Sequence, residues 1–460
     1  MLKKVQMRGG ARRPHAKRSL STLSVRPRAP TKQMGLFQHP ARVTVVTAGH
    51  LSTSPRMLKA ADALAAAGYR VRVISTRHLP WAVGTDRDVR RLRETAWTWT
   101  TVDYARDADA LARVRTGLRL RGAKLAARTL GPSRCPVGLA AAAWSRAHRE
   151  LVRAAMREPV DLLYGGGAAL AAVAEAGRKM GVAYAIDLED FHGAEQVDSP
   201  AATLSHALAQ RIERDVLPGA LFLTASSPGI AAAYAERYGV SPIVVHNTFP
   251  LPSKPPDLRP HPERRLRLYW FSQTIGPGRG LEDVVSAMAL AAVPGELHLR
   301  GLAIAEYVER LRRLAAQGAS RLLIVPHAPA PPDTMVGLCA DHDVGLSLER
   351  GPVLNKLLCL SNKALTYVLG GLAVVLTDTP GQRPLAQDLG EGSLLYAPGD
   401  VASLAAGLRR WADDARLLER ARTASWRAAQ RRWHWGHPDE SGALIRACAA
   451  GLSAHPACAS

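Results

Sequence analysis

The segment from Asp187 to Glu195 combines residue types that can carry out acid–base chemistry. It holds four carboxylates and one imidazole directly after an apolar run, at Asp187, Glu189, Asp190, His192 and Glu195. Clustered carboxylates repel one another, so stability rarely explains them, whereas general acid–base catalysis or the binding of hydroxyl groups does. Carboxylates alone do not specify a divalent metal. A solvated turn is the alternative, and we interpret Glu189, Asp190 and His192 as candidate catalytic residues.

Two glycine-containing loops each connect a predicted strand to a predicted helix, an arrangement that can bind an anion. In the first, Gly49 lets backbone approach a ligand, and Ser54 can cap the helix that begins at Pro55. Plain helix capping explains this loop equally well. In the second, Arg279 lies between Gly278 and Gly280 and can pair with a phosphate. This loop has neither the GxGxxG fingerprint nor a Walker lysine, so NAD and ATP are not indicated.

A third group of polar residues consists of Glu349 and the segment Ser361-Asn362-Lys363. Ser361 or Asn362 can cap a predicted helix, and Lys363 then lies in its first turn. A lysine is unfavourable there, beside the positive end of the helix dipole, unless an anion is bound as well. No acidic residue occurs between Glu349 and Asp378. This surface suits a diphosphate.

Alternating strand and helix patterns place these loops at the ends of strands. From residue 42 onward, short apolar and β-branched runs alternate with helical segments, which predicts an α/β fold with parallel sheets covered by helices. Six prolines within residues 250–262 indicate a linker between two such sheets. Two sheets of this kind imply a cleft, and ligands bind beyond the carboxyl ends of the strands.

In their order along the chain, these motifs resemble the retaining GT-B glycosyltransferases of the family-4 type over most of residues 42–450. The residues that carry the resemblance are Gly49, Ser226 or Ser227, Asn247, Gly278-Arg279-Gly280, Asn362-Lys363 with Tyr367 and Gly371, and Pro380-Gly381. The resemblance implies two Rossmann-like domains facing a cleft. The acceptor domain would span residues 41–249 and the nucleotide-sugar domain residues 263–432. In the segment 433–460, a helix over Trp433–Ala449 would return to the first domain.

The same resemblance implies a glycosyltransferase of the hexosyltransferase type. It would move a sugar, with retention of configuration, from a UDP- or GDP-linked donor to a polysaccharide, lipid-linked or small-molecule acceptor, without a cofactor or metal. Arg279 and Lys363 would carry the charge of the leaving diphosphate, and Glu349 would orient the donor sugar. The implied donor-binding residues are Gly49, Gly278, Arg279, Gly280, Ser361, Asn362, Lys363 and Thr366.

Two positions depart from the family pattern. Thr366 stands where a ribose-binding glutamate is usual, and the paired glutamates at eight-residue spacing are missing. Glu189 stands where the family has the histidine of an Asp-x-His-Glu/Asp loop. Either His192 takes over that role or the acid acts, and the nucleophile stays unassigned.

The net charge of +22 is unevenly distributed. The first acidic residue is Asp62, and the segment 1–40 is basic and has no sustained apolar period. We expect this extension to be disordered. It could be a transit peptide, a nucleic-acid-binding arm, or sequence upstream of a true start at Met34.

A second basic stretch runs from Arg113 to Arg157, with a spacing that suits amphipathic helices. Such helices can lie on anionic lipid headgroups, and an ordinary solvated face explains them equally well. No apolar run reaches the length of a membrane-spanning helix. Five widely spaced cysteines indicate a reducing compartment. We therefore expect a cytoplasmic protein, with contact to the inner face of the membrane left open.

Two other classes of function fit parts of the sequence. A sugar-nucleotide epimerase would share the two-domain fold, because fold does not determine function. A basic nucleic-acid-binding protein would explain the net charge. However, no aromatic-interleaved basic motif of the RNA-binding modules is present, so we expect no specific nucleic-acid partner.

Overall fold

The computed structural model describes residues 40–454, except 106, 108–109, 196–198, 260–264, 319–320, 350 and 352. The predicted disordered extension lies outside these residues apart from residue 40, as do Cys458 and the end of the predicted linker. Thirteen strands lie in the described part of the chain. They are β1 Arg42–Val46, β2 Arg70–Arg77, β3 Thr98–Asp103, β4 Leu162–Gly166, β5 Ala183–Leu188, β6 Leu223–Ala225, β7 Ile243–Val244, β8 Leu266–Ile275, β9 Gly295–Ala303, β10 Leu322–His327, β11 Val344–Ser347, β12 Ala373–Thr377 and β13 Ser393–Tyr396.

Sixteen α-helices alternate with these strands in the same described ranges. They are α1 Pro55–Ala66, α2 Ala82–Arg91, α3 Ala110–Leu130, α4 Val137–Trp144, α5 His148–Ala155, α6 Leu170–Met180, α7 Pro200–Val216, α8 Pro228–Tyr238, α9 Leu281–Ala291, α10 Ala305–Ala316, α11 Leu354–Leu358, α12 Asn362–Leu369, α13 Arg383–Leu389, α14 Val401–Asp413, α15 Ala415–Arg431 and α16 Ser441–Ala454.

The first seven strands form one parallel sheet in the order β3-β2-β1-β4-β5-β6-β7. Its inner strands are almost wholly buried, because helices cover both faces. One face packs on α3 to α8, and the other on α1 and α16. The strand order reverses between β1 and β4, and loops at such a switch point splay apart and leave a crevice.

The remaining six strands form a second parallel sheet in the order β10-β9-β8-β11-β12-β13. One face packs on α9, α10 and α14, and the other on α12, α13 and α15. Here the order reverses between β8 and β11. The prediction of two parallel α/β sheets is confirmed.

The C-terminal helix differs in extent from the predicted Trp433–Ala449. The chain turns after α15, and α16 begins only at Ser441, because Gly436 and Pro438 do not favour helix continuation. Trp435 lies in this turn and joins Leu444 of α16 in the apolar cluster on the first sheet.

Helix α2 and strand β3 had no predicted counterpart. β3 is an edge strand with mostly exposed or half-buried residues, so its sequence lacks a continuous apolar run. Helix α2 is strongly polar and begins without a side-chain cap, so it carries no start signal. Within the described ranges, no helix is long and apolar enough to cross a membrane.

Candidate active site

The loop after β8 forms one part of the site on the second sheet. Gly278 and Gly280 have φ angles of +73° and +74°, a left-handed conformation that glycine adopts without strain. Gly280 is the N-cap of α9 and supplies no side chain to the amides of the first turn. Arg279, between the two glycines, is half-buried and has no ion-pair partner among the residues that the structure describes. The loop therefore offers backbone donors and a cation to an anion.

Glu349 follows the neighbouring strand β11 and pairs with Lys363. The distance from Lys363 Nζ to Glu349 Oε1 is 3.2 Å. Burial alone would raise the pKa of Glu349, but the charge of Lys363 and hydrogen bonds from Lys363 and Ser361 hold it below its ordinary value. β8 and β11 are adjacent in the sheet, so this ion pair and the Arg279 loop both follow strands at its switch point.

Helix α12 positions the remaining donor-site candidates. Ser361 occupies its N-cap position but its side chain does not cap the helix, contrary to one of the two predicted options, and instead helps to lower the pKa of Glu349. Asn362 is the first helical residue and is half-buried. Thr366 is fully buried, and its hydroxyl donates to the Asn362 carbonyl at 2.8 Å. The hydroxyl of Thr366 is therefore engaged within α12, and its predicted place in the donor site stays a prediction.

The acid-rich loop follows β5 of the first sheet, but not all of its carboxylates face the cleft. Asp187 is buried and accepts hydrogen bonds from Arg56 Nε at 2.8 Å and from Tyr164 at 3.2 Å. Asp187 and Arg56 form a buried ion pair that fixes the end of β5 to α1.

Glu189 is half-buried, and its side chain accepts a hydrogen bond from Asn247 Nδ2 at 2.8 Å. Asn247 in turn accepts a hydrogen bond from the buried Lys59 Nζ at 2.6 Å. Burial, followed by the charge of Asp190, raises the pKa of Glu189 to about 7. A carboxyl group with this pKa can hold or release a proton near neutral pH.

His192 turns into the interior and not toward the cleft. Its Nδ1 lies 3.1 Å from Glu213 Oε1 and 3.0 Å from the Tyr234 hydroxyl. Burial would lower the pKa of His192, but Glu213 raises it to about 9. The imidazole therefore forms a buried ion pair that supports the loop, and its predicted catalytic role stays a prediction. Glu189 and Asp190 stay the candidate catalytic residues of the acid-rich loop, and both are half-buried.

The Gly49 loop lies at the switch point of the first sheet. Its hydroxyls bond each other, with Thr47 Oγ1 at 2.9 Å from Ser54 Oγ, so Ser54 does not cap α1 as expected. A Cβ at Gly49 would lie 3.2 Å from Thr53 Oγ1 and 3.3 Å from Ser54 Oγ. Glycine therefore keeps this loop tight, and plain loop packing accounts for its position.

Asn355 links the two halves of the site directly. From the short helix α11 of the second domain, its Nδ2 donates to Asp190 Oδ1 at 2.7 Å, and its Oδ1 accepts from Phe191 N at 2.7 Å. Ser227, at the start of α8, donates to the Leu358 carbonyl at 2.8 Å. These bonds hold the acid-rich loop against the helix that precedes α12.

The sequence analysis missed Asn355 and Lys59. Nothing local marks Asn355, because its partners lie more than 160 positions away. The position of Lys59 could have been recognised from the sequence. It follows Arg56 by three positions in α1, so the two cations lie on one face of the helix, and the other residues of that face are mostly apolar. Both are buried.

No protein-family model matches the chain, and no curated protein sequence matches it. Solved structures do. Sucrose-phosphate synthase from Thermosynechococcus elongatus aligns with a TM-score of 0.60 and 15% identity, over 89% of this chain and 98% of that one. HepE from Anabaena, in complex with UDP-glucose, aligns with a TM-score of 0.59 and 15% identity, over 90% and 99%.

The chain has the GT-B fold. A third structure of this architecture is a TarM mutant from S. aureus in complex with fondaparinux, α-GlcNAc-glycerol and UDP. It aligns with a TM-score of 0.59 and 7% identity, over 90% of this chain and 100% of that one. In this GT-B chain, the loops after β5, β8 and β11 carry the polar residues described above, on two domains joined by Asn355.

Proposed function

We propose that this GT-B protein is a glycosyltransferase that moves a sugar from a nucleotide-sugar donor to a glycan, lipid-linked or small-molecule acceptor. One observation carries the proposal. Arg279 follows β8, and Lys363 of α12 pairs with Glu349, which follows the adjacent strand β11, so both cations belong to the switch point of the second sheet, where α/β sheets bind ligands. The fold likeness to structures solved with UDP and UDP-glucose supports this proposal.

The two cations would stabilise the leaving group. As the bond between sugar and diphosphate breaks, negative charge develops on the diphosphate, and fixed cations stabilise it more strongly than they stabilise the bound donor. Lys363 is held in place by Glu349, and Arg279 lies between two glycines whose left-handed backbone shapes its loop. The proposal assigns this charge to protein side chains and names no metal ion or cofactor.

Glu349 and the acid-rich loop would act on the sugar and the acceptor. Glu349 stays ionised, because Lys363 lowers its pKa, and an ionised carboxylate can orient sugar hydroxyls. Glu189, whose pKa lies at about 7, would receive the proton of the attacking acceptor hydroxyl. Asp190 is held by Asn355 and would bind an acceptor or sugar hydroxyl.

Several finer points belong to the same proposal. The donor is a UDP- or GDP-linked hexose, and transfer proceeds with retention in the manner of family-4 enzymes. The reaction takes place in the cytoplasm, at the inner face of the membrane, as a step of polysaccharide biosynthesis. The anomeric configuration of the product, read by NMR, tests retention directly.

The decisive experiment incubates the protein with a panel of UDP- and GDP-sugars, with and without acceptors, and follows nucleotide release and product mass. We expect nucleotide release that depends on an acceptor, with a mass gain of one sugar. An isomerised donor formed without acceptor would instead identify a sugar-nucleotide epimerase.

Substitutions of the two cations test the site itself. We expect Arg279→Ala and Lys363→Ala each to lower kcat/KM by about 100-fold or more, as loss of a partner for transition-state charge does. Arg416→Ala and Lys254→Ala remove exposed cations elsewhere and serve as matched controls. Unchanged kinetics in both site variants would remove the diphosphate assignment.

A further inference from the structure

Helix α3 presents its large apolar side chains to the outside. Leu111, Val114, Leu118 and Leu125 are 78%, 58%, 61% and 64% exposed. Their separations of three, four and seven residues place them on one face of the helix. The opposite face is buried against the first domain through small residues, among them Ala123 and Ala127. An ordinary surface helix buries its leucines, so α3 has the reverse arrangement.

Basic side chains flank this leucine face on both sides. Helix α3 contains Arg113, Arg115, Arg119, Arg121, Lys124 and Arg128 and no acidic residue. Arg119 is held by Glu150, with Nη1 at 3.0 Å from Oε1, and Arg115 lies 3.7 Å from the same carboxylate. Arg121 and Arg128 are exposed and have no acidic partner within the described ranges. Their charge is available to a partner.

We propose that the leucine face of α3 binds the surface of an anionic lipid bilayer, with the helix lying in the plane of the headgroups. Apolar side chains on one face and arginines at its borders are the two features that interfacial helices combine. The helix is 21 residues long, about 32 Å, so one docking event would place all four apolar side chains in the interface.

The charges argue against a second copy of this chain as the occupant. An antiparallel pair of α3 helices would bring together two sets of cations with no acids on either helix, and like charges in contact are repulsive. Solvation alone does not account for the arrangement either, because four large apolar side chains face water while the buried residues of the helix are the smaller Thr116, Ala123 and Ala127.

The position of α3 fits the proposed location of the protein. The helix begins close after the carboxyl end of β3, and the acid-rich loop leaves the carboxyl end of β5 in the same parallel sheet. Arg146 fixes this start, because its guanidinium lies over the Tyr104 ring and donates to the Arg113 carbonyl. This inference deepens the proposed membrane location by naming the surface that would dock, and it does not depend on the chemistry of sugar transfer.

The test measures binding of the full-length protein to vesicles of phosphatidylcholine with about 30% phosphatidylglycerol, and to phosphatidylcholine alone, at about 0.1 M and about 0.5 M salt. We expect Leu118→Asn combined with Leu125→Asn to weaken binding to the anionic vesicles by at least about tenfold at both salts, because apolar burial is not screened. Leu290→Asn with Leu323→Asn replaces two similarly exposed leucines of the second domain and should bind like the wild type.

A charge-reversed variant distinguishes the electrostatic contribution to vesicle binding from the apolar one. Arg121→Glu with Arg128→Glu should lower binding by at least about tenfold at low salt and by less at high salt. The basic segment 1–40 is present in all variants, so it cannot produce these differences.

Equal vesicle binding by the Leu118/Leu125 variant and the wild type at both salts would overturn the proposal. So would a wild-type dimer, seen by sedimentation velocity, that the leucine substitutions dissociate, since the occupant would then be a second copy. Turnover with a soluble acceptor is measured on the same preparations. Its absence in every preparation would refute sugar transfer and leave the vesicle result standing.

Discussion

Replacing Glu189 by glutamine should raise the stability of the protein while it lowers turnover. In the folded protein, burial and the charge of Asp190 raise the pKa of Glu189 from its ordinary 4.5 to about 7. The folded state therefore disfavours the ionised carboxylate. Glutamine is neutral and keeps an oxygen that can accept the hydrogen bond from Asn247.

The size and pH range of this effect follow from the same pKa. Each pKa unit corresponds to about 1.4 kcal/mol, so the penalty on ionised Glu189 is at most about 3.5 kcal/mol, and solvent at the half-buried side chain reduces it to between about 1 and 3 kcal/mol. A carboxyl group with a raised pKa costs nothing below about pH 4.5, where it is protonated in both states. The cost grows as the pH rises to about 7 and is complete above that value.

Urea unfolding between about pH 5 and pH 8 measures the difference between Glu189→Gln and the wild type. We expect the variant's advantage in unfolding free energy to grow across this range and level off above about pH 7. Glu236→Gln, at an exposed position, is the control. Turnover of the wild type should titrate near pH 7, and that titration should vanish in the variant.

Two results would refute this reasoning. If Glu189→Gln lowers the unfolding free energy at every pH, Glu189 is a structural partner of Asn247 and not a poised acid. If the variant keeps wild-type turnover with its pH profile intact, the proton of the acceptor goes elsewhere.

Two further predictions concern residues that support the site. Asn355→Ala should lower kcat/KM and cost about 1–3 kcal/mol in urea unfolding, because the Phe191 amide loses its acceptor; unchanged values for both would mean that the link across the cleft is incidental. His192→Phe should leave Glu213 without its cationic partner, so it should lower the melting temperature while donor affinity, measured by calorimetry, stays unchanged. Because the pKa of His192 is raised to about 9, its stabilisation should be complete below about pH 6.5 and lost as the pH passes 9, and a loss independent of pH would count against the ion pair.

The sequence by itself determined the alternation of strands and helices, the two parallel sheets and the loops that follow the strands. Residues that are close together in the sequence determine these features. Apolar runs must be buried on both faces, and the glycines around Arg279 supply the left-handed backbone of the loop after β8. The sequence also placed Glu349 after a predicted strand and Lys363 at the start of a predicted helix, whereas their ion pair became visible only in the structure.

Only the tertiary structure decided which of the predicted polar residues face the cleft. His192 and Glu189 are three positions apart, yet one turns inward to Glu213 and the other stays at the cleft beside Asn247. Sequence spacing cannot distinguish them, because the partners that fix each side chain come from other elements. Thr366 is likewise buried, because the packing of α12 against the second sheet places its side chain in the interior.

The leucine face of α3, formed by Leu111, Val114, Leu118 and Leu125, is a further feature whose orientation the sequence did not determine. Apolar residues at helical spacing form the same sequence pattern whether they face the core or the solvent. The sequence therefore predicts an amphipathic helix but not which face of it is buried. Orientation is decided by the competition among all helices for the surface of the first sheet. The face of α3 that carries small side chains, among them Ala123 and Ala127, packs against the first domain. The leucines on the other face of the helix remain exposed.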